Sequence, residues 1–160
     1  MLEELLNLDN CQVSKISNGK GVIEISFKDL QVESQIGQGG FSVILKGKYR
    51  GSPVAIKKVF DPVITDDLLS EMQNEARMLG ILRHPQFVTL MGVCSQAPDL
   101  AIVVEFCSGN LFDALHKTQT NLSIEKRLRI ARDIAQAYTY LHEAGIVHRD
   151  LKSLNILVDE

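Results

Sequence analysis

Between Leu30 and Phe106 the chain alternates short apolar runs with turn residues. Five runs have the length and composition of strands: Leu30–Ile36, Ser42–Tyr49, Val54–Phe60, Phe87–Cys94 and Leu100–Phe106. Their spacing predicts a five-stranded antiparallel sheet. One interruption has a different period, because Leu68, Met72, Ala76, Leu79 and Leu82 recur three and four residues apart. They follow Thr65, Asp66 and Asp67, residue types that suit a helix start. After Gly109 the pattern is helical throughout, with a short helix over Leu111–His116 and a longer one capped by Ser123 and ended by Gly145. The apolar stripe of the long helix is Ile124, Leu128, Ala131, Ile134, Ala135, Tyr138 and Leu141. Residues 1–27 read as a flank, in which Leu2, Leu5, Leu6 and Leu8 suit a short amphipathic turn and Val22–Phe27 alternates like an edge strand. The fold class is therefore α+β and bilobal. A β-rich lobe with one helix spans 28–104, a hinge spans 105–109, and a helical lobe begins at 110.

Composition narrows the function classes. The chain has 160 residues, 45% of them hydrophobic and 23% charged, enough for one soluble domain with a core of its own. A net charge of -3 gives no basic surface for nucleic acid. No apolar run approaches the roughly 20 residues of a membrane span, and Glu3 and Glu4 stand where a secretory signal would be basic. Cys11, Cys94 and Cys107 are odd in number with no close pair, which reads as thiols in a reducing compartment and places the chain in the cytoplasm.

Four groups of residues carry candidate chemistry. The run Ile36-Gly37-Gln38-Gly39-Gly40-Phe41-Ser42-Val43-Ile44 lies between two predicted strands, where glycines allow backbone N–H groups to approach phosphates. Alone it is equally a plain hairpin turn. Val54-Ala55-Ile56-Lys57 ends an apolar strand on a lysine, which either snorkels to solvent or meets a fixed anion. Lys58 is the better candidate for snorkelling. The helix downstream offers Glu71 and Glu75 as that anion. The octapeptide His148-Arg149-Asp150-Leu151-Lys152-Ser153-Leu154-Asn155 puts a base, cations and a metal-binding amide at fixed intervals.

The octapeptide matches the H-R-D-L-x-x-x-N loop of protein kinases, and the glycine run resembles their G-x-G-x-x-G-x-V loop, with Ser42 in place of the third glycine and Ile44 in place of valine. From about Lys28 to Glu160 the chain is similar to the first half of a eukaryotic protein kinase domain. Lys152 resembles the serine/threonine specificity class, and the Lys-Ser-Leu-Asn wording with Leu100-Ala101-Ile102-Val103 resembles the tyrosine-kinase-like group of serine/threonine kinases. The resemblance implies a complete five-stranded N-lobe with one helix plus a truncated helical C-lobe, binding ATP and Mg2+ and acting on serine and threonine of protein substrates in signalling.

The same resemblance implies the roles. Asp150 orients the attacking hydroxyl, Lys152 neutralises the transferred phosphoryl, and Asn155 holds the metal. Ile36, Gly37, Gln38, Gly39, Gly40, Phe41 and Ser42 cover the phosphates, and Lys57 grips them. Glu75 is the expected partner of Lys57, since it precedes the His84-Pro85 dipeptide by nine residues. Ile44, Ala55 and Leu157 would sandwich the adenine, whose edge meets backbone groups of Glu105 and Cys107 while Val104 guards the pocket behind. His148 packs beneath the loop, and Arg149 is a contact for a phosphorylated activation segment.

No Asp-Phe-Gly follows Asn155 in the sequence, so the second metal anchor of the family is missing. The chain as given is expected to be inactive, the product of an incomplete gene or a truncated sequence, with the apolar stripe of its long helix bare. Two alternatives compete with the enzyme reading. One is a non-catalytic module that binds nucleotide, a partner kinase or a regulator, and the other is a small-molecule phosphotransferase, disfavoured by the loop wording.

Overall fold

The computed structural model describes residues 22–60, 65–117 and 122–159. Leu2, Leu5, Leu6, Leu8 and Cys11 lie outside them. The chain folds as two compact units. A sheet unit takes the described part of Ile16–Leu82 with Val88–Phe106, and a helical unit takes Arg83–Phe87 with the described part of Cys107–Glu160.

The sheet unit contains β1 (Leu30–Gln38), β2 (Ser42–Tyr49), β3 (Ser52–Val59), helix α1 (Asp66–Ile81), β4 (Leu90–Cys94) and β5 (Ala101–Glu105). Its five strands lie in the order β1-β2-β3-β5-β4, each pair antiparallel. The β2–β3 hairpin turns on Arg50 and Gly51 alone, at φ 50° and 86°. Both central residues take the left-handed φ that matches strand twist in a two-residue loop, which is why glycine is needed there. A tight loop fixes register: Tyr49 faces Ser52, and further along the strand Lys57 lies between Ile44 and Ile102. A slip of one residue would move Lys57 to the other face of the sheet.

Alternation along β3 sorts the two faces. Val54 and Ile56 are fully buried in a cluster with Leu30, Tyr49, Cys94, Ala101 and Val103, while Ala55 and Lys57 point the other way. Each large aliphatic side chain in that cluster contributes about 1.5–3 kcal/mol by leaving water. Helix α1 begins where Thr65 Oγ1 accepts from Leu68 N at 3.2 Å and buries Met72, Glu75, Ala76, Met78 and Leu79.

Two predicted strands differ from what forms. Val22–Phe27 is no strand: Glu24 makes a single parallel bridge to Val93, and Phe27–Asp29 turns into a short 3-10 helix. That segment nonetheless reaches the core, because Ile25 is only 2% exposed. Strand β4 starts at Leu90, three residues later than the apolar pattern suggested. The reason is local competition. Phe87 N closes a turn onto His84 O at 3.0 Å, and Thr89 N donates to the Glu105 carboxylate at 2.7 Å instead of a strand carbonyl.

In the helical unit a two-stranded ladder of β6 (Gly109–Asn110) and β7 (Leu157–Val158) flanks α2 (Leu111–His116), and α3 runs over Ile124–Glu143. Side chains cap both helices, with Asn110 Oδ1 accepting from Asp113 N at 2.8 Å and Ser123 Oγ from Lys126 N at 3.3 Å. Of the predicted α3 stripe only Leu141 is buried, together with Ala137 from outside it, while Ala131 and Ala135 are exposed. Ile124 and Leu128 remain 67% and 63% exposed. Tyr140 holds the Arg83–Phe87 segment: its hydroxyl accepts from Arg83 N at 3.0 Å, and its ring stacks on His84 at 5.1 Å. Among the described residues no helix is long and apolar enough to cross a membrane.

Candidate active site

In the sheet unit the candidate residues share one face. Lys57 sits directly opposite Ile44 and Ile102, and Ala55 opposite Val104, so Ile44, Ala55, Lys57 and Val104 line a common surface. Helix α1 brings a carboxylate to it. Lys57 Nζ donates to Glu75 Oε2 at 2.8 Å and to Oε1 at 3.1 Å, with side chains 11% and 3% exposed. Of the two candidate glutamates, Glu71 is exposed and Glu75 carries the contact. Water is largely excluded from this pair, so each charge depends on the other for solvation.

The glycine run forms the β1–β2 turn. Gly37 and Gln38 pair with Ile44 and Val43 inside the strands, leaving Gly39, Gly40 and Phe41 as the tip. Gly39 N closes the turn onto Ser42 O at 2.7 Å, and Phe60 N donates to Phe41 O at 3.1 Å. Ile36 and Phe41 are exposed, and Ser42 is buried. At Gly40 a side chain would meet nothing within 4 Å, so the tip is open. At the far end of β5 the Glu105 N–H is committed to Thr89 O at 3.0 Å. Of its two backbone groups only the carbonyl can then serve a ligand. Phe106 follows, with Lys46 Nζ 4.7 Å above its ring.

In the helical unit the octapeptide folds on itself. Arg149 takes φ 63°, a left-handed turn that lets Asp150 N reach back to His148 O at 2.9 Å and His148 Nδ1 at 3.3 Å. The Asp150 carboxylate meets Lys152 Nζ at 2.8 Å. Asn155, buried at the end of the Ser153–Asn155 turn, donates its amide nitrogen to Asp150 O at 2.9 Å and also to the Asp150 carboxylate. Both N–H bonds orient the amide, so its carbonyl oxygen is the end suited to a hard cation. Leu111 N holds the loop's exit through Ile156 O at 2.8 Å, and Leu157 is presented by β7. Cys107 opens this unit as a half-buried thiol.

Some neighbours of these groups escaped the sequence reading. Lys58 does not snorkel: it pairs with Asp99 at 2.6 Å and lies 4.3 Å from the Phe27 ring. Tyr138 backs His148, ring centroids 5.8 Å apart, with its hydroxyl buried. Burial, and then the charge of Asp150, push the Tyr138 phenol above its ordinary range. Its place in the apolar stripe gave no sign of a polar role. Burial also raises the Cys94 thiol to about 11, helped by Glu24 and Asp99.

The sheet with its single helix has the architecture of the amino-terminal lobe of a protein-kinase-like fold, and the His-Arg-Asp loop lies in the part of the helical lobe present here. The chain belongs to the protein tyrosine and serine/threonine kinase family, whose family model matches residues 30–160. It is 42% identical over 140 residues to a probable serine/threonine-protein kinase of Dictyostelium discoideum, covering 86% of this chain and 15% of that protein. Two similar proteins of Arabidopsis thaliana are the serine/threonine-protein kinases CTR1 and STY17. CTR1 is 38% identical, covering 86% of this chain and 17% of its own length; STY17 is 34% identical, covering 90% and 25%. The chain thus spans at most a quarter of these relatives' lengths.

Proposed function

We infer that this chain is the nucleotide-binding and catalytic-loop portion of a protein serine/threonine kinase of the tyrosine-kinase-like group, serving signalling in the cytoplasm. The observation that carries the reading is the buried Lys57–Glu75 pair, with 2.8 Å between Nζ and Oε2. Desolvating two charges makes such a pair a poor source of stability, so its place on the strand paired with the glycine hairpin, Lys57 opposite Ile44 and Ile44 opposite Gly37, favours a working role. Glu75 holds the Lys57 ammonium in one orientation, where it grips the α- and β-phosphates of ATP. Residues 36–42 cover the phosphates with backbone N–H groups, and Ile44 and Ala55 supply apolar contacts to the base. The Glu105 carbonyl and Cys107 N–H serve its edge.

In the loop Asp150 orients the substrate hydroxyl and takes its proton, and Lys152, already on the Asp150 carboxylate, is positioned to meet charge developing on the phosphoryl group. The Asn155 carbonyl oxygen would hold Mg2+, the neighbouring amide being fixed on Asp150. When bound, Mg2+ neutralises the phosphate oxygens.

Titration of residues 1–160 with Mg-ATP, followed by calorimetry, tests the assignment. Lys57→Met is expected to weaken binding about tenfold or more, the loss of one charge-assisted contact; unchanged affinity overturns the reading. A polypeptide of these residues has no Asp-Phe-Gly, and it is expected to bind nucleotide without phosphorylating a generic protein substrate. Asp150-dependent turnover would refute that second expectation.

A further inference from the structure

Strand β4 is an edge of the sheet, and unpaired edges are normally covered or blunted. Here the chain covers its own edge. Ile25 N donates to Val93 O at 2.7 Å and Val93 N to Ile23 O at 2.8 Å, so the segment before the domain lies parallel to β4. The fit is made for it. A side chain at Gly92 would collide with Ile23 O and come within 2.6 Å of Ile25 Cδ1, so only glycine lets the segment approach. Glu24 adds a polar latch, its Oε1 accepting from Ser95 N at 3.0 Å and Ser95 Oγ at 2.6 Å.

The two ends of this segment reach different layers. Ile25 inserts into the core cluster that includes Ile56, Cys94 and Val103. Val22 lies over the last turn of α1, where a Cβ on Gly80 would stand 3.3 Å from its Cγ2 and 3.6 Å from Leu90 Cδ2. Gly80 is five residues beyond Glu75, less than two helical turns along the same rod. Helix α1 is thereby held at its N-terminus by the Thr65 cap and at its C-terminal turn by Val22 and Leu90.

We propose that Val22–Ile25 is a strap that clamps the end of α1 to the β4 edge, and that release of the strap loosens Glu75 from Lys57. The release point is Ser95, an exposed hydroxyl whose partner is the Glu24 carboxylate. A negative group at Ser95 turns the latch from attraction to repulsion. The consequence for nucleotide binding rests on the reading of Lys57 and Glu75 given above.

Hydrogen–deuterium exchange on residues 1–160 without nucleotide reads the strap directly. Ser95→Asp is expected to raise exchange at the Ile25 and Val93 amides by roughly tenfold, and α1 from Glu75 to Ile81 is expected to lose protection with them. Gly92→Val forces the segment off sterically and is expected to give the same coupled loss. Exposed strap amides beside an unchanged α1 overturn the proposal, as does a strap that stays protected in both variants. Calorimetry with Mg-ATP separates the two layers. A loosened α1 with unchanged ATP affinity supports the strap and removes the phosphate-anchor reading, whereas a matching loss of affinity supports both.

Discussion

Replacing Glu75 with glutamine keeps side-chain volume but leaves the Lys57 ammonium facing a neutral amide in a site where the lysine side chain is 11% exposed. Removing one partner of a buried ion pair costs about 3–5 kcal/mol, because the surviving charge has lost both water and its counter-ion. The lower end applies here, since glutamine Oε1 can still accept one bond and Lys57 keeps a little solvent. A cost of about 3 kcal/mol against a urea slope of about 1.5 kcal/mol per molar lowers the unfolding midpoint of the sheet unit by roughly 2 M. Glu71→Gln, on the exposed face, is the matched control and is expected within about 0.5 kcal/mol of the parent. The double variant Lys57→Met with Glu75→Leu removes both charges, and it should cost less than Glu75→Gln alone by about 1 kcal/mol or more. Urea unfolding of these variants together with the singles Lys57→Met and Glu75→Leu, followed by far-ultraviolet dichroism, closes the cycle. Additive costs, with no recovery in the double variant, would refute the argument that the two charges solvate each other.

Three further outcomes follow from the packing. Gly92→Ala places a methyl group against Ile23 O and Ile25, and urea unfolding should show a loss of about 1–3 kcal/mol, typical of an overpacked site. Leu141→Ala, at a fully buried position, should cost about 2–5 kcal/mol in the same assay, while Leu128→Ala, at 63% exposure, should be nearly neutral; a large effect at Leu128 would mean that the bare stripe of α3 is covered in solution. With its pKa raised from 9.0 to about 11, Cys94 holds roughly a hundredfold less thiolate at pH 8. Iodoacetamide followed by mass spectrometry should therefore label half-buried Cys107 well before Cys94, and equal rates would show that Cys94 is neither buried nor shifted.

Much of the fold was legible because its signals are local. Strand alternation, the Thr65 and Ser123 caps and the stop at Gly145 each depend on residues a few positions apart, and the sheet and helices form close to those bounds. The errors fall where a partner distant in sequence outweighs local pattern. Phe87 has the composition of a strand residue but closes a turn beside Tyr140, 53 positions away, and Val22–Phe27 alternates like a strand but obtains only one bridge. Lys58 reads as a solvent-facing lysine because nothing near it in sequence announces Asp99, 41 residues on.

The candidate site divides in the same way. By itself the sequence determined which chemical groups exist and in what order: a glycine turn, a lysine ending an apolar strand, two helical glutamates and the His-Arg-Asp loop. Motif spacing survives without coordinates because each motif is one short loop or strand. Tertiary structure alone decided that the Asn155 amide is oriented by Asp150 and that the segment before the domain enters the core through Ile25, and it brought Lys57 onto Glu75, the partner that the family resemblance implies. Those outcomes depend on which helix face turns inward and how closely two backbones approach. Both are set by burial and steric fit among residues far apart in the chain, where a pattern of apolar and polar letters carries no distance.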